Sequence, residues 1–308
     1  MGKARPVSPA PWSDWQPLAT AAPFSPAVLA ETLDGGQSFR WHCDPAGTWT
    51  GTFGTTLVRL RAGDSGILSW SAPQRRVPET GAILAGYLEG NGDVAALVDT
   101  LPWRSDAHLA RCLGEFRGLR ILRQPFGETL LGFLCSATKQ IVQIKQMVAL
   151  LATRHGDTLG AVEGVPAAAL HRLPTWDQLA VIPESRLREC LLGFRARYIH
   201  QTARFLAEHP GWLDETATLP YATAKERLCS LPGVGEKVAD CVLLFGAGRL
   251  EAFPVDTWVL KAMAARYGLH GWKPAQVAHF GRTHFGPLAG LAQQYLFAWE
   301  RHAQPEPT

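Results

Sequence analysis

The spacing of apolar positions changes character along the chain. Residues 37–43 (QSFRWHC), 48–53 (TWTGTF), 55–61 (TTLVRLR) and 66–72 (GILSWSA) are short runs rich in aromatic and β-branched side chains. They are separated by Asp-Pro-Ala-Gly, by Gly54 and by Ala-Gly-Asp-Ser-Gly. Short runs broken by Gly-bearing turns predict strands of an antiparallel sheet. From Pro78 onward the period becomes helical. In 139–155, Ile141, Ile144, Val148 and Leu151 form one stripe with Met147 beside it, and Gly156 follows as a C-cap. Further helices are predicted at 184–208, 223–230, 236–246, 257–268, 274–284 and 287–302. The first 26 residues, rich in Pro and Ala, read as irregular. The expectation is an α+β chain: an irregular segment 1–26, an antiparallel β-rich domain with connecting helices at 27–122, and a mostly α-helical domain at 123–308.

Composition narrows the class. The 308 residues are 46% apolar and 19% charged, enough for a sizeable core and too apolar for a wholly disordered chain. No apolar run approaches the roughly 20 residues that span a bilayer, so no membrane partner is expected. The start, MGKARPVSPAPWSDW, lacks the apolar stretch of a secretory signal. Thirty Lys and Arg against 27 Asp and Glu leave a net charge of +3, which permits a polyanionic partner without arguing for one. Cys43, Cys112, Cys135, Cys190, Cys229 and Cys241 are scattered, with no Cys-x-x-Cys pair. That spacing excludes a zinc ribbon and an iron–sulfur cluster with local ligands, and points to a reducing, intracellular compartment.

The chemistry concentrates in residues 225–259 (KERLCSLPGVGEKVADCVLLFGAGRLEAFPVDTWV). Gly233 and Gly235 flank Val234 in a turn between two helical patterns. Such a turn strips side chains from the backbone, and the free N–H groups of the next helix start beside it, which suits a phosphate. A plain helix–turn–helix corner has the same composition. Lys237 falls in the first turn of the following helix, where the helix dipole disfavours an ammonium, and is a candidate amine nucleophile. Cys241 lies four residues on, on the same face. Asp256 precedes another apolar-periodic run and has the position of an N-cap, a carboxylate held ionised by backbone N–H groups.

The combination of LPGVGEKVADC and PVDTWV resembles the helix–hairpin–helix and Gly/Pro-Asp motif of a DNA glycosylase superfamily. Gly35–Trp41 (GGQSFRW), 193–198 (GFRARY) and the pairs Ala292-Gln293 and Leu296-Phe297 are similar to segments of its 8-oxoguanine DNA glycosylases, and the resemblance runs from about Trp15 to His302. It implies a helical helix–hairpin–helix glycosylase domain, and an enzyme that flips a damaged base out of double-stranded DNA. Lys237 would attack C1′, Asp256 would stabilise the cationic sugar, and the resulting Schiff base would permit β-elimination, an AP-lyase activity. By the same resemblance, Gly36 would offer its carbonyl to the N7–H peculiar to 8-oxoguanine. Phe297 and Cys241 would sandwich the base, and Gln293 would bond its Watson–Crick edge. Gly233, Val234 and Gly235 would seat a phosphate. The backbone carbonyls of Cys229, Leu231 and Val234 would hold a structural monovalent or calcium ion; catalysis would need no cofactor. A monomer working with DNA in nucleoid or nucleus is expected.

The chain departs from the family near the base opposite the lesion. Thr138 replaces an intercalating Asn, and Gln143 stands where a cytosine-contacting Arg is common. Phe194 replaces a wedging Tyr, Trp258 replaces a phosphate-contacting His, and Arg195 is retained to reach the opposite base. These changes put the preference for cytosine opposite the lesion in doubt. Alternative readings are a glycosylase for another oxidised or alkylated base, and a non-catalytic helix–hairpin–helix DNA-binding protein. Lys237 and Asp256 speak against the latter, because phosphate binding requires neither.

Overall fold

The computed structural model describes residues 10–302 apart from Ala21 and Asp64. Five strands, β1 (Gln16–Leu18), β2 (Trp41–Cys43), β3 (Trp49–Phe53), β4 (Thr56–Ala62) and β5 (Leu68–Ser71), form one antiparallel sheet in the order β1-β5-β4-β3-β2. The four predicted runs each supply a strand. The fifth strand corrects the reading of 1–26 as irregular: Gln16–Leu18 pairs with Leu68–Trp70 along the sheet edge. Its pattern of one buried residue in three is too short to announce a strand; the unpaired edge of β5 makes it one. Gly51 in β3 faces Trp41 so closely that a Cβ there would lie 2.3 Å from the indole. That vacancy lets Trp41 sink into the core, where its Nε1 donates to the Tyr87 hydroxyl at 3.1 Å.

Helix α1 (Pro26–Asp34) enters the sheet, and α2 (Val77–Glu89), α3 (Val94–Asp99) and α4 (Ala107–Glu115) leave it. The helical part follows as α5 (Phe126–Leu134), α6 (Ile141–His155), α7 (Trp176–Ala180), α8 (Glu184–Leu187), α9 (Arg195–Glu208), α10 (Trp212–Thr218), α11 (Tyr221–Cys229), α12 (Glu236–Val242), α13 (Thr257–Tyr267), α14 (Pro274–Phe285) and α15 (Ala289–His302). Predicted and observed helices agree at 139–155 and from residue 221 onward to within a few residues, except that 236–246 loosens into a wide turn at Leu243–Ala247. The single helix predicted at 184–208 is wrong. It breaks after α8 in a wide turn at Arg188–Leu192, with Leu191 at φ 61° and Gly193 at φ 57°, and α9 starts afresh. Periodicity carries through such a break because the flanking helices keep their apolar faces on the same core.

One buried apolar cluster runs from Leu18 to Ala298, across the segment boundary expected at 122–123. Helix α15 is the reason. Residues 289–298 are buried on every side, and Tyr295 donates its hydroxyl to the Leu119 carbonyl at 3.0 Å. At its end Arg301 and His302 both meet the buried Glu31 carboxylate of α1 at 2.9 Å. The last helix therefore locks against the helix that leads into Gly35 and Gly36. No helix among the described residues is long and apolar enough to cross a membrane.

Candidate active site and nucleic-acid interface

Helices α11 and α12 form a hairpin around residues 231–235. Gly233 adopts φ 78°, and a Cβ there would lie 2.7 Å from the Tyr198 ring of α9, so both backbone and packing require glycine. Val234 donates its N–H to the Leu231 carbonyl at 3.1 Å and buries its side chain, while Gly233 and Gly235 stay exposed. Beneath the turn lies a buried polar set. Asp240 accepts from the Tyr221 hydroxyl at 2.6 Å and from Lys225 at 3.0 Å, tying α12 to α11. Burial pushes the Asp240 carboxyl up, and Lys225 opposes it.

Lys237 sits in the first turn of α12, half-buried. Its Nζ donates to the Ser136 hydroxyl at 3.3 Å and lies 5.3 Å from the centre of the Phe133 ring. Asp256 caps α13, its Oδ1 accepting the Val259 N–H at 2.8 Å. The cap is where the sequence put it, but its acidity is not. Burial raises the Asp256 pKa above the ordinary carboxylate value, against the lowering by backbone N–H groups and by Lys237.

Lys237, Asp256, Gly36, Cys241, Gln293 and Phe297 all line one cleft that opens to solvent. Phe133, Phe245, Pro254 and Gln294 complete its wall. Residues separated by up to 261 positions, from Gly36 to Phe297, thus converge. Gly36 has φ 98°, and a Cβ on it would stand 3.6 Å from the Phe297 ring and 3.3 Å from Ile141. Gln37 holds this loop from behind: its Nε2 donates to the Arg120 carbonyl at 2.7 Å and its Oε1 accepts the Leu122 N–H at 3.0 Å. The Cys241 thiol is buried and pushed up to about 12, so this wall of the cleft is a neutral, small, apolar group. Gln293 and Gln294 are both buried, and the Gln294 amide donates to Gln293 Oε1 at 3.0 Å.

Ser136, Phe133 and Gln294 were not singled out in the sequence. Gln294 had a signal, being the second of two adjacent amides in an otherwise apolar helical run. Ser136 had none, since only the fold brings it to Lys237.

The remaining predicted residues lie outside the lining of the cleft. Thr138 is exposed with φ 54°, and Phe194 is exposed with the Arg195 guanidinium 4.4 Å from its ring centre. Arg195 is buried. It donates from Nε and Nη2 to the Ala137 carbonyl, from Nη2 to Thr138 Oγ1 at 3.0 Å and from Nη1 to the Leu192 carbonyl at 3.1 Å. Its guanidinium therefore fastens two turns together in the free chain. Gln143 is exposed at the start of α6, where its Oε1 accepts the Gln140 N–H at 3.2 Å. Trp258 is exposed beside Asp256.

No group of three or more His, Cys, Asp or Glu side chains suited to a metal occurs among the described residues. The carbonyls of Cys229, Leu231 and Val234 belong to one hairpin, and that of Leu231 keeps a second lone pair beyond its turn hydrogen bond.

Residues 21–130 match the family model described as 8-oxoguanine DNA glycosylase, N-terminal domain, and residues 132–283 match that of the HhH-GPD superfamily base excision DNA repair proteins. An N-glycosylase/DNA lyase of Arabidopsis thaliana is 33% identical over 94% of this chain and 81% of its own length. An N-glycosylase/DNA lyase of Saccharomyces cerevisiae is 30% identical over 79% of this chain and 69% of its own. The crystal structure of Clostridium acetobutylicum 8-oxoguanine glycosylase/lyase, in complex with double-stranded DNA containing cytosine opposite 8-oxoguanine, superposes with a TM-score of 0.80. It is 31% identical, covering 89% of this chain and 91% of that one.

Proposed function

The chain belongs to the 8-oxoguanine DNA glycosylases of the HhH-GPD superfamily of base excision repair proteins, and from that membership we propose that it excises 8-oxoguanine from double-stranded DNA and cleaves the strand at the resulting site. The observation that carries the proposal is the convergence of Lys237, Asp256, Gly36, Cys241, Gln293 and Phe297 on one cleft. A nucleotide must leave the stack to reach such a cleft. Lys237 Nζ, having given up a proton, attacks C1′ with its lone pair, and the C1′–N9 bond breaks with its electron pair going to the base, which takes up a proton. Asp256 stabilises the positive charge that develops on the sugar. Loss of a proton from the bound amine and breaking of the C1′–O4′ bond, with a proton taken up by O4′, then give a Schiff base; removal of a C2′ proton lets the C3′–O bond break, and the 3′ phosphate leaves with its electron pair by β-elimination.

Within the cleft, the Gly36 carbonyl accepts the N7–H of the oxidised base, a bond that guanine cannot make. The Phe297 ring and the Cys241 thiol hold the base faces, and Gln293 reads its Watson–Crick edge. The hairpin at Gly233–Gly235 holds a DNA phosphate by its backbone, and the carbonyls of Cys229, Leu231 and Val234 hold a structural monovalent or calcium ion that supplies no chemistry to the reaction. Thr138 and Gln143 relax the preference for cytosine opposite the lesion. The enzyme acts as a monomer wherever the cell keeps its DNA.

Borohydride trapping tests the reading. A duplex with one 8-oxoguanine, opposite each of the four bases in turn, is expected to give a covalent adduct with the parent and none with Lys237→Gln. Adducts of similar yield across the four duplexes support relaxed choice of the opposite base. Tight binding without any adduct overturns the Schiff-base mechanism.

A further inference from the structure

Among the described residues, two that are not glycine hold a left-handed backbone: Thr138 at φ 54° and Leu191 at φ 61°. For a bulky side chain this conformation is an outlier, and such outliers persist where the surroundings over-determine them. Leu191 obtains only partial burial in return. It is 53% exposed, while its neighbours Cys190 and Leu192 are fully buried. Phe194, three residues on, is 51% exposed. Glycine would hold the same backbone freely, so what leucine adds at this position is a side chain pointing outward.

The surroundings that fix it are specific. Arg195 donates to the Leu192 carbonyl on one side, and to the Ala137 carbonyl and Thr138 hydroxyl on the other. One buried guanidinium thus fastens both left-handed turns. The second of them continues into the catalytic cleft, because Ser136 accepts the hydrogen bond from Lys237 at 3.3 Å. Leu191 and Phe194 therefore flank a clamped turn that Arg195 ties to the 136–138 segment beside Lys237, each with about half of its side chain open to solvent.

We propose that Leu191 is a second apolar wedge that enters the base stack of duplex DNA beside Phe194 when the lesion is extruded. The proposal rests on the glycosylase reading and extends its DNA contacts. Apolar side chains inserted between base steps replace the stacking that a flipped nucleotide gives up. The partner is the stacked bases of a duplex. A single scattered surface leucine needs no such explanation. What sets Leu191 apart is its strained backbone, the Arg195 clamp and the continuity with Lys237.

The test uses Leu191→Gly in the full chain. Glycine suits φ 61°, so the melting temperature is expected to hold or rise, which separates a lost wedge from a damaged fold. Single-turnover excision of 8-oxoguanine from a fully paired duplex is expected to fall ~10-fold or more, since unstacking costs a few kcal/mol and loses one of its replacements. Strand cleavage at a preformed abasic site, which has no base to extrude, should fall far less, and Leu191→Met should restore excision. Equal excision by parent and Leu191→Gly overturns the proposal, as does an equal loss on lesion and abasic substrates. Fluorescence of a 2-aminopurine beside the lesion, measured in a Lys237→Gln background, tests the wedge without chemistry. Leu191→Gly should give a smaller rise on binding, and an undiminished rise overturns the wedge even if the glycosylase reading itself fails.

Discussion

The Lys237 ammonium donates to the Ser136 hydroxyl at 3.3 Å, and that hydroxyl in turn donates to the Phe133 carbonyl at 2.7 Å. The proton of Ser136 is therefore committed backward into α5, and only its lone pair faces Lys237. The hydroxyl is a fixed acceptor that holds Nζ above the Phe133 ring and within the cleft. It reaches the reacting centre only through Lys237, so its role is to position.

Replacing Ser136 with alanine is expected to leave Lys237 in the cleft with its long side chain free among rotamers. Loss of a well-placed hydrogen bond to a charged group is worth about 1.5–3 kcal/mol where the group is fixed. A ~10-fold drop in single-turnover excision, with little change in DNA affinity, is the expected outcome. Equal losses in affinity and rate would show that Ser136 shapes the 136–138 turn and not the nucleophile.

Asp256 gives a pH test with a definite sign. Its carboxyl is needed ionised, and burial raises its pKa above the ordinary value for Asp. Activity should therefore fall as pH drops, with the midpoint of the acid limb above that of a solvent-exposed Asp. In Asp256→Asn the rate should fall at every pH and this limb should vanish, while binding of lesion DNA persists, since Asn still caps α13. A limb that survives in Asp256→Asn would belong to another group.

How much of this site was legible beforehand differs residue by residue. Lys237, Asp256 and the hairpin glycines are local signals: each sits at a helix end or turn whose geometry a few neighbouring residues dictate. Gly36, Gln293 and Phe297 carried no local signal of chemistry and were reached through resemblance to a family; the fold then brings them to the same cleft. Ser136 and the Arg195 clamp depend on pairs 101 and 58 residues apart, and a single chain without partners in space cannot announce them. The break at Leu191 was missed for a different reason. Leu191 is not the glycine or asparagine that usually marks a left-handed turn, and Gly193, which also takes a positive φ there, interrupts neither apolar face, so the helical period reads straight through both.

Gly36→Ala tests the reading of the oxidised base. The position needs φ 98°, and the added methyl would crowd Ile141 at 3.3 Å while meeting Phe297 at an ordinary contact distance of 3.6 Å. Left-handed strain of about 1–2 kcal/mol should lower the melting temperature modestly. Excision of 8-oxoguanine should fall much more than cleavage at an abasic site, because the carbonyl is displaced while Lys237 is not. Proportionate losses on both substrates would place recognition elsewhere.

Gln294→Leu tests whether the pocket amides act as a pair. Gln293 Oε1 now accepts from Gln294, which orients the amide that faces the base. Leucine is close in volume and keeps the helix buried, so folding should be retained while Gln293 is freed to rotate. The expected result is a raised KM for 8-oxoguanine duplex and weaker discrimination among oxidised purines, by roughly the factor of ten that one hydrogen bond supplies. Unchanged selectivity would leave Gln293 oriented by packing alone.

A last prediction concerns stability away from the cleft. Asp106 caps α4 through the Leu109 N–H at 2.9 Å, and its other oxygen accepts from Tyr267 of α13 at 2.9 Å and faces His284 of α14 at 3.0 Å. Burial alone would raise its pKa, but the Leu109 N–H, His284 and Tyr267 outweigh burial and hold it below the ordinary value. A carboxyl lowered by folding stabilises the native state above its unfolded pKa, and that contribution is lost as pH falls through the folded value. Asp106→Ala removes the cap and both acceptor bonds, at a cost of about 2–4 kcal/mol near neutral pH. The deficit relative to the parent should shrink as unfolding is measured at progressively lower pH, below the ordinary carboxylate range. A deficit independent of pH would mean that the charge of Asp106 contributes nothing, and that its neighbours are held by shape.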